Sequence, residues 1–175
     1  MTLELTQPKW LVLRCRGHLT EGLVERVVLE FDDVTVWVPR VVHRARVARV
    51  RRKLESEELA LPGWVFVKPG SEEAQADLLE GSRIGRPKYW VVRRKQELMS
   101  IPEQQMLRMF EWAARSELEE KPGFQVGDEV SVAVGPLEGI VGRIVAVEGA
   151  YCRVDDRSSS MSLRISPFFL KTNRA

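Results

Sequence analysis

The stretch "VGDEVSVAVGPLEGIVGRIVAV", residues 126–147, sets glycines at 127, 135, 139 and 142 among alternating valines and isoleucines. Glycine admits positive φ and close backbone approach, which short and sharply bent strands need. Downstream, "AYCRV" and "SMSLRI" keep the same texture around the polar turn "DDRSSS". These runs predict a small all-β unit of roughly five strands over about 50 residues, near the lower size limit for independent folding.

Working back toward the N-terminus, the texture changes near residues 117–123. Short β-branched and aromatic runs, "KWLVLRC" (9–15), "VTVWVP" (34–39), "GWVFVK" (63–68) and "KYWVVRR" (88–94), read as four strands. Between them lie helical patterns. Around "TEGLVERVVLEF" (20–31), Leu19, Leu23, Val27 and Phe31 recur every four residues, with Thr20 placed as N-cap. "SEEAQADLLEG" (71–81) has Ser71 as cap and two acids in its first turn. "SIPEQQMLRMFEWAARSELEE" (100–120) has Ser100 and Glu103 at capping-box spacing, with Met106, Phe110 and Ala113 on its apolar face. The alternation predicts an α+β domain, a four-stranded and mainly antiparallel sheet with helices, over residues 1–118. A linker at 119–123 then leads to the all-β unit at 124–175.

The segment "RVVHRARVARVRRK" (40–53) carries seven arginines and lysines and no carboxylate, and leads to "LALPGWVFVK" (59–68). It reads first as a hairpin between the second and third strands and second as a nucleic-acid contact. Its charge is local, because 27 basic residues stand against 25 acidic ones in the 175-residue chain, a net charge of +2. The 44% hydrophobic content suits a globular protein with a core.

Cys15 and Cys152 make no metal-type spacing and read as two buried thiols. No run approaches the roughly 20 apolar residues of a membrane span, and no secretion signal is visible, so a cytoplasmic monomer without a membrane partner is expected. Two histidines, no Gly-x-Ser-x-Gly and no phosphate loop leave no catalytic residue, cofactor or metal to assign. Asp155 and Asp156 read as a solvated turn.

Gly135-Pro136-x-x-Gly139-x-x-Gly142-x-Ile144-x-x-Val147 resembles a KOW motif, the SH3-like barrel of certain transcription and ribosomal proteins. The order "KWLVL" strand, helix, "VWVP" strand, basic hairpin, "LPGWVFV" and then the KOW-like unit is similar to that of the NusG family of transcription elongation factors. The resemblance covers roughly residues 9–171. "LRCRGHLTEG" (13–22) is closer to the specialised, RfaH-like members than to the general ones.

The resemblance implies an N-terminal NusG-type domain followed by a KOW barrel, and a factor that binds RNA polymerase and reduces pausing or termination. It implies that Leu61 and Trp64, with Tyr89 and Trp90, line an exposed groove for the clamp helices of polymerase's largest subunit. It places Arg14, Arg16 and His18 on the non-template DNA strand. Arg44, Arg46 and Arg49 of the hairpin are further DNA candidates, on charge density. Leu137 and Ile140 stand where general members carry phenylalanines facing Rho or the ribosome. Their aliphatic character puts that coupling in doubt and favours an operon-specific factor. Two other functions fit the same residues: an RNA- or ribosome-binding KOW protein without polymerase activity, and a general factor acting in termination.

Overall fold

The computed structural model describes residues 9–46, 53–82 and 89–173. Among the described residues it is an α+β structure with antiparallel sheets and three α-helices. By its contacts the chain divides into two compact units: Met1–Val38 with Gly63–Glu103, and Pro39–Pro62 with Gln104–Ala175.

In the first unit, β1 (Trp10–Arg14) leads through a 3-10 turn at Gly17–Leu19 into α1 (Thr20–Glu30) and β2 (Val34–Trp37). The second unit supplies β3 (Arg40–Arg46) and β4 (Lys53–Leu59) before the chain returns as β5 (Trp64–Pro69) and α2 (Glu72–Gly81). Four two-residue strands follow: β6 (Trp90–Val91), β7 (Arg93–Arg94), β8 (Glu97–Leu98) and β9 (Ser100–Ile101). The main sheet runs β2-β5-β1-β6, and β9 pairs antiparallel with β1 as a fifth strand.

The expected sheet of four strands therefore has five. Single-sequence reading misses β9 because two residues carry no periodicity. β1 is the centre of this sheet, with Leu11, Val12 and Leu13 all buried. Consecutive strand residues point to opposite faces, so both faces of β1 are covered. Leu23 and Val27 of α1 and Ala74 and Leu78 of α2 supply buried apolar faces, and both helices contact β5. Leu19, expected on the α1 face, is exposed.

The helix starts separate local from long-range rules. Ser71 caps α2 as its sequence predicts, accepting from Ala74 N at 3.1 Å. Thr20 is not an N-cap: it is the first residue of α1, and its hydroxyl bonds elsewhere. Ser100 and Glu103 form no capping box. Ser100 pairs with Leu11, and the Glu103 carboxylate accepts from Trp10 Nε1 at 2.8 Å and Lys68 Nζ at 3.0 Å. Lys68 first and Trp10 second hold its carboxyl below the usual carboxylate range.

In the second unit, β3 and β4 form the expected hairpin, in register from Arg40↔Leu59 to Arg46↔Lys53. α3 (Glu103–Leu118) buries Met106, Met109, Ala113 and Ser116. It is followed by β10 (Glu129–Val132), β11 (Val141–Glu148), β12 (Tyr151–Asp156), β13 (Ser162–Ile165) and β14 (Leu170–Thr172). These make the five-stranded antiparallel sheet β13-β12-β11-β10-β14, with a register irregularity between Ile144 and Ala146. Val130, Val132, Ile144, Val154, Ile165 and Phe169 form its core.

Two turns of chain tie α3 to its neighbours in this unit. Gly135, at φ +95, packs beside Met109, and Gln105 Nε2 donates to the Gly135 carbonyl at 3.0 Å. Arg108 pairs with Glu138 at 2.9 Å. At the other end, Ser116 Oγ accepts from Val42 N at 2.8 Å. Arg44 donates to the carbonyls of Ser116 and Glu117 at 2.9 and 2.7 Å, and its Nε reaches Glu55 at 2.9 Å. Those carbonyls belong to the last turn of α3, which has no intrahelical donors for them, and a cation there also meets the negative end of the helix dipole. Arg44→Ala is predicted to destabilise the protein by about 1–2 kcal/mol with the urea m-value unchanged, whereas Arg44→Lys should lose about half as much. Urea unfolding followed by circular dichroism checks both.

Candidate nucleic-acid interface

Three strand ends meet at one corner of the first unit. β1 lies between β5 and β6, and its last residue, Arg14, is the register partner of Trp64 on one side and Trp90 on the other. Cross-strand partners project from the same face, so Trp64, Arg14 and Trp90 form a row. The Arg14 guanidinium carbon sits 4.3 Å from the Trp64 ring centroid, a cation–π contact. Burial draws the Arg14 pKa down from its ordinary value, against the smaller opposing influence of Cys15, yet a guanidinium stays charged at neutral pH.

What fixes this corner is a knot of backbone bonds. Cys15 N donates to the Gly63 carbonyl at 3.0 Å, and Gly63 N donates to Thr20 Oγ1 at 2.8 Å. Thr20 Oγ1 in turn donates to the Gly17 carbonyl at 2.6 Å, and Thr20 is fully buried. Gly63 has φ +85, and a Cβ built there would stand 2.6 Å from the Cys15 carbonyl. Only glycine fits. The knot holds the turn Arg16–Leu19 outward, with Arg16 and His18 exposed. Cys15 itself is buried, and desolvation pushes its thiol pKa up.

On the β6 side the chain enters a tight hairpin. β7 and β8 pair through Arg93↔Leu98 and Arg94↔Glu97, leaving Lys95 and Gln96 as a two-residue loop. Both have positive φ, 48° and 74°. A loop of this kind ordinarily takes Asn-Gly, so Lys-Gln stores strain of about 1 kcal/mol or more. Arg93 Nη1 donates to the Gln96 carbonyl at 3.1 Å, and Arg93, Arg94 and Lys95 are all exposed. Residues 9–20, 63–70 and 89–96, which supply this corner, contain no Asp or Glu.

The structure sorts the residues expected from sequence. Arg14, Arg16 and His18 gather at this corner, with Arg14 in the Trp row. Arg44 is occupied as the α3 cap. For Arg46 only the backbone is described, and Arg49 lies outside the described residues. The exposed groove of four residues is corrected. Leu61, Trp64 and Tyr89 are buried, and only Trp90, at 50% exposure, is open. Arg14 stacks on the Trp64 ring, and the Tyr89 hydroxyl turns inward to donate to the Leu78 carbonyl at 2.9 Å. Leu137 is buried too, in the turn closed by Glu138 N to Gly135 O at 3.0 Å, and Ile140 is half-buried. Sequence reading misses Arg93, Arg94 and Lys95, whose signal is three consecutive cations beside an aromatic strand.

Among the described residues no group of His, Cys, Asp or Glu is arranged to hold a metal ion, and no helix is long and apolar enough to cross a membrane.

No family model matches the chain, and no curated protein matches it. Solved structures do. Thermotoga maritima NusG, described under "Domain interaction in Thermotoga maritima NusG", is 20% identical, with 95% of this chain and 97% of that chain covered at a TM-score of 0.44. The MjSpt4:Spt5 complex in conformation A is 11% identical, with 93% and 96% covered at a TM-score of 0.30. Its conformation B gives 13%, 95% and 97%, and 0.29. At these scores no residue role is carried over.

Thr20 is the residue on which the corner's geometry turns. Thr20→Val keeps the shape and removes all three hydrogen bonds of the hydroxyl, including that from Cys15 Sγ at 4.0 Å, leaving Gly63 N buried without an acceptor. It is predicted to lower stability by about 1–3 kcal/mol and, because the corner then opens more often, to speed alkylation of buried Cys15 by iodoacetamide, while Thr20→Ser should restore both.

Proposed function

We propose that this chain is a transcription elongation factor of the NusG type, which lengthens processive transcription by binding RNA polymerase and the non-template DNA strand. The observation that carries the reading is the corner where Arg14, Arg16 and His18 converge on the end of a buried central strand, in segments that contain no carboxylate. Such a corner suits a polyanion. Exposed cations attract phosphate, and a rigid sheet fixes their spacing. The order of sequence motifs supports the same reading, with residues 1–118 as the polymerase-binding module, 119–123 as linker and 124–175 as a KOW barrel.

No bond is made or broken in this function. The factor acts by binding the elongating state of polymerase more tightly than the paused state, and the affinity difference sets the shift between them. Contact with polymerase through Leu61 and Trp64 requires a conformation that uncovers them, since both are buried here. The aliphatic Leu137 and Ile140 favour an operon-specific antiterminator over a general factor coupled to Rho or the ribosome.

Single-round transcription by the host's polymerase, on a template with mapped pauses and a terminator, tests the proposal. Saturating full-length protein should shorten pauses by roughly twofold or more and raise read-through, a change of only about 0.4 kcal/mol in a barrier. Arg16→Gln with His18→Gln should abolish the effect with the unfolding midpoint unchanged, because both side chains are exposed. An RNA affinity with no effect on pausing would instead support a free-standing RNA-binding protein.

A further inference from the structure

We infer that Trp90 is a stacking platform for an unpaired base of single-stranded DNA, with Arg93, Arg94 and Lys95 contacting the flanking phosphates. The inference deepens the proposed function and rests on it for the choice of DNA. Three observations on separate features converge.

The first is the state of Trp90. Trp10 and Trp64 are buried, Trp37 and Trp112 are intermediate, and only Trp90 has half its surface open. It stands at the edge of the main sheet, where no further strand follows β6 among the described residues. The second is its neighbourhood. The same row holds Arg14 on Trp64, so a cation and two indoles occupy one face across three strands. Bases stack on aromatic faces whatever their sequence, and basic side chains beside the platform track the backbone.

The third is the hairpin two residues beyond. Its loop holds Lys95 and Gln96 at positive φ where Asn-Gly would be relaxed. A strained lysine at a loop tip is a feature that stability alone does not select, and strain of this kind concentrates at binding sites. Arg93 and Arg94 precede it with exposed side chains. Phosphates spaced along a single strand thus meet three cations near an open indole, against one carboxylate, Glu97, opposite Arg94.

The test is a fluorescence titration of the full-length protein with (dT)15, and with (U)15 in parallel, from about 50 to 200 mM salt. Stacking quenches indole emission, so (dT)15 should quench the parent. Trp90→Phe should bind with little change in affinity but lose most of the quench. Trp90→Ala should weaken binding roughly 5- to 150-fold. Arg93→Gln with Arg94→Gln should reduce the slope of log affinity on log salt by about 1.4, at roughly 0.7 per phosphate contact.

Lys95→Asn with Gln96→Gly guards against misfolding as an explanation. It relaxes the loop, so its melting temperature should rise while the salt slope falls by about 0.7. Unchanged affinity in Trp90→Ala, or a full quench retained in Trp90→Phe, overturns the platform. Tighter binding of (U)15 than (dT)15 overturns the assignment to DNA. The two proposals fail separately. Trp90-dependent quenching by (dT)15 without any effect on pausing keeps the platform and removes the elongation reading. Shortened pauses with no Trp90 effect on (dT)15 do the reverse.

Discussion

One buried hydroxyl organises the end of the molecule that matters most. Thr20 Oγ1 accepts from Gly63 N and donates to the Gly17 carbonyl, joining the start of β5, the end of β1 and the turn into α1. Cys15 N bonds the Gly63 carbonyl, so both backbone groups of Gly63 are paired within this crossing. The consequence is positional. The register of β1 on β5 is fixed from this point, so Trp64 must lie opposite Arg14, while β6 separately sets Trp90 opposite Arg14. Had β5 slipped by one residue, Val65 would face Arg14 and every side chain of the strand would change faces.

Fixing the corner also explains how charge is divided along the chain. The basic hairpin β3–β4, the densest concentration of arginine, has part of that charge engaged internally. Arg44 closes the last turn of α3 and pairs across the strands with Glu55. β4 also carries Glu57 and Glu58, directly opposite Val42 and Val41. The three segments that supply the corner of the first unit carry no Asp or Glu of their own. Charge density alone points to the hairpin, and the scarcity of carboxylates points to the strand ends, where Glu97 opposite Arg94 is the one acid of the β7–β8 hairpin. For binding a polyanion the second criterion is the stronger, because nearby carboxylates cancel the field that a phosphate would meet.

Features set by neighbours in sequence are legible from the residues alone. Ser71 caps its helix through Ala74, three residues on, and strands β1, β2 and β5 announce themselves by branched and aromatic residues. Glycines at 127, 135 and 139 do take positive φ at their turns. What sequence does not disclose depends on partners far along the chain. Thr20 and Glu103 look like helix-start residues by spacing, but the first bonds Gly63, 43 residues away, and the second bonds Trp10, 93 residues away. Trp64 is expected to be exposed because the family resemblance puts it in a binding groove, yet it is buried, with an arginine from another strand stacked on its ring. The Trp64–Arg14–Trp90 row is a property of register across three strands, and no local pattern encodes it. Arg93 to Lys95 escape a reading by pattern because β7 and β8 are each two residues long and show no periodicity.

In the proposed function this corner faces the non-template strand inside a transcription bubble. Photocrosslinking tests it most directly: 4-thiothymidine is placed at successive non-template positions of an assembled elongation complex, and crosslinked peptides of the full-length protein are mapped by mass spectrometry. Crosslinks are expected within residues 14–18 and 90–95, from neighbouring positions in the bubble. Crosslinks confined to residues 124–175, or none in a complex shown to contain the protein, would contradict it.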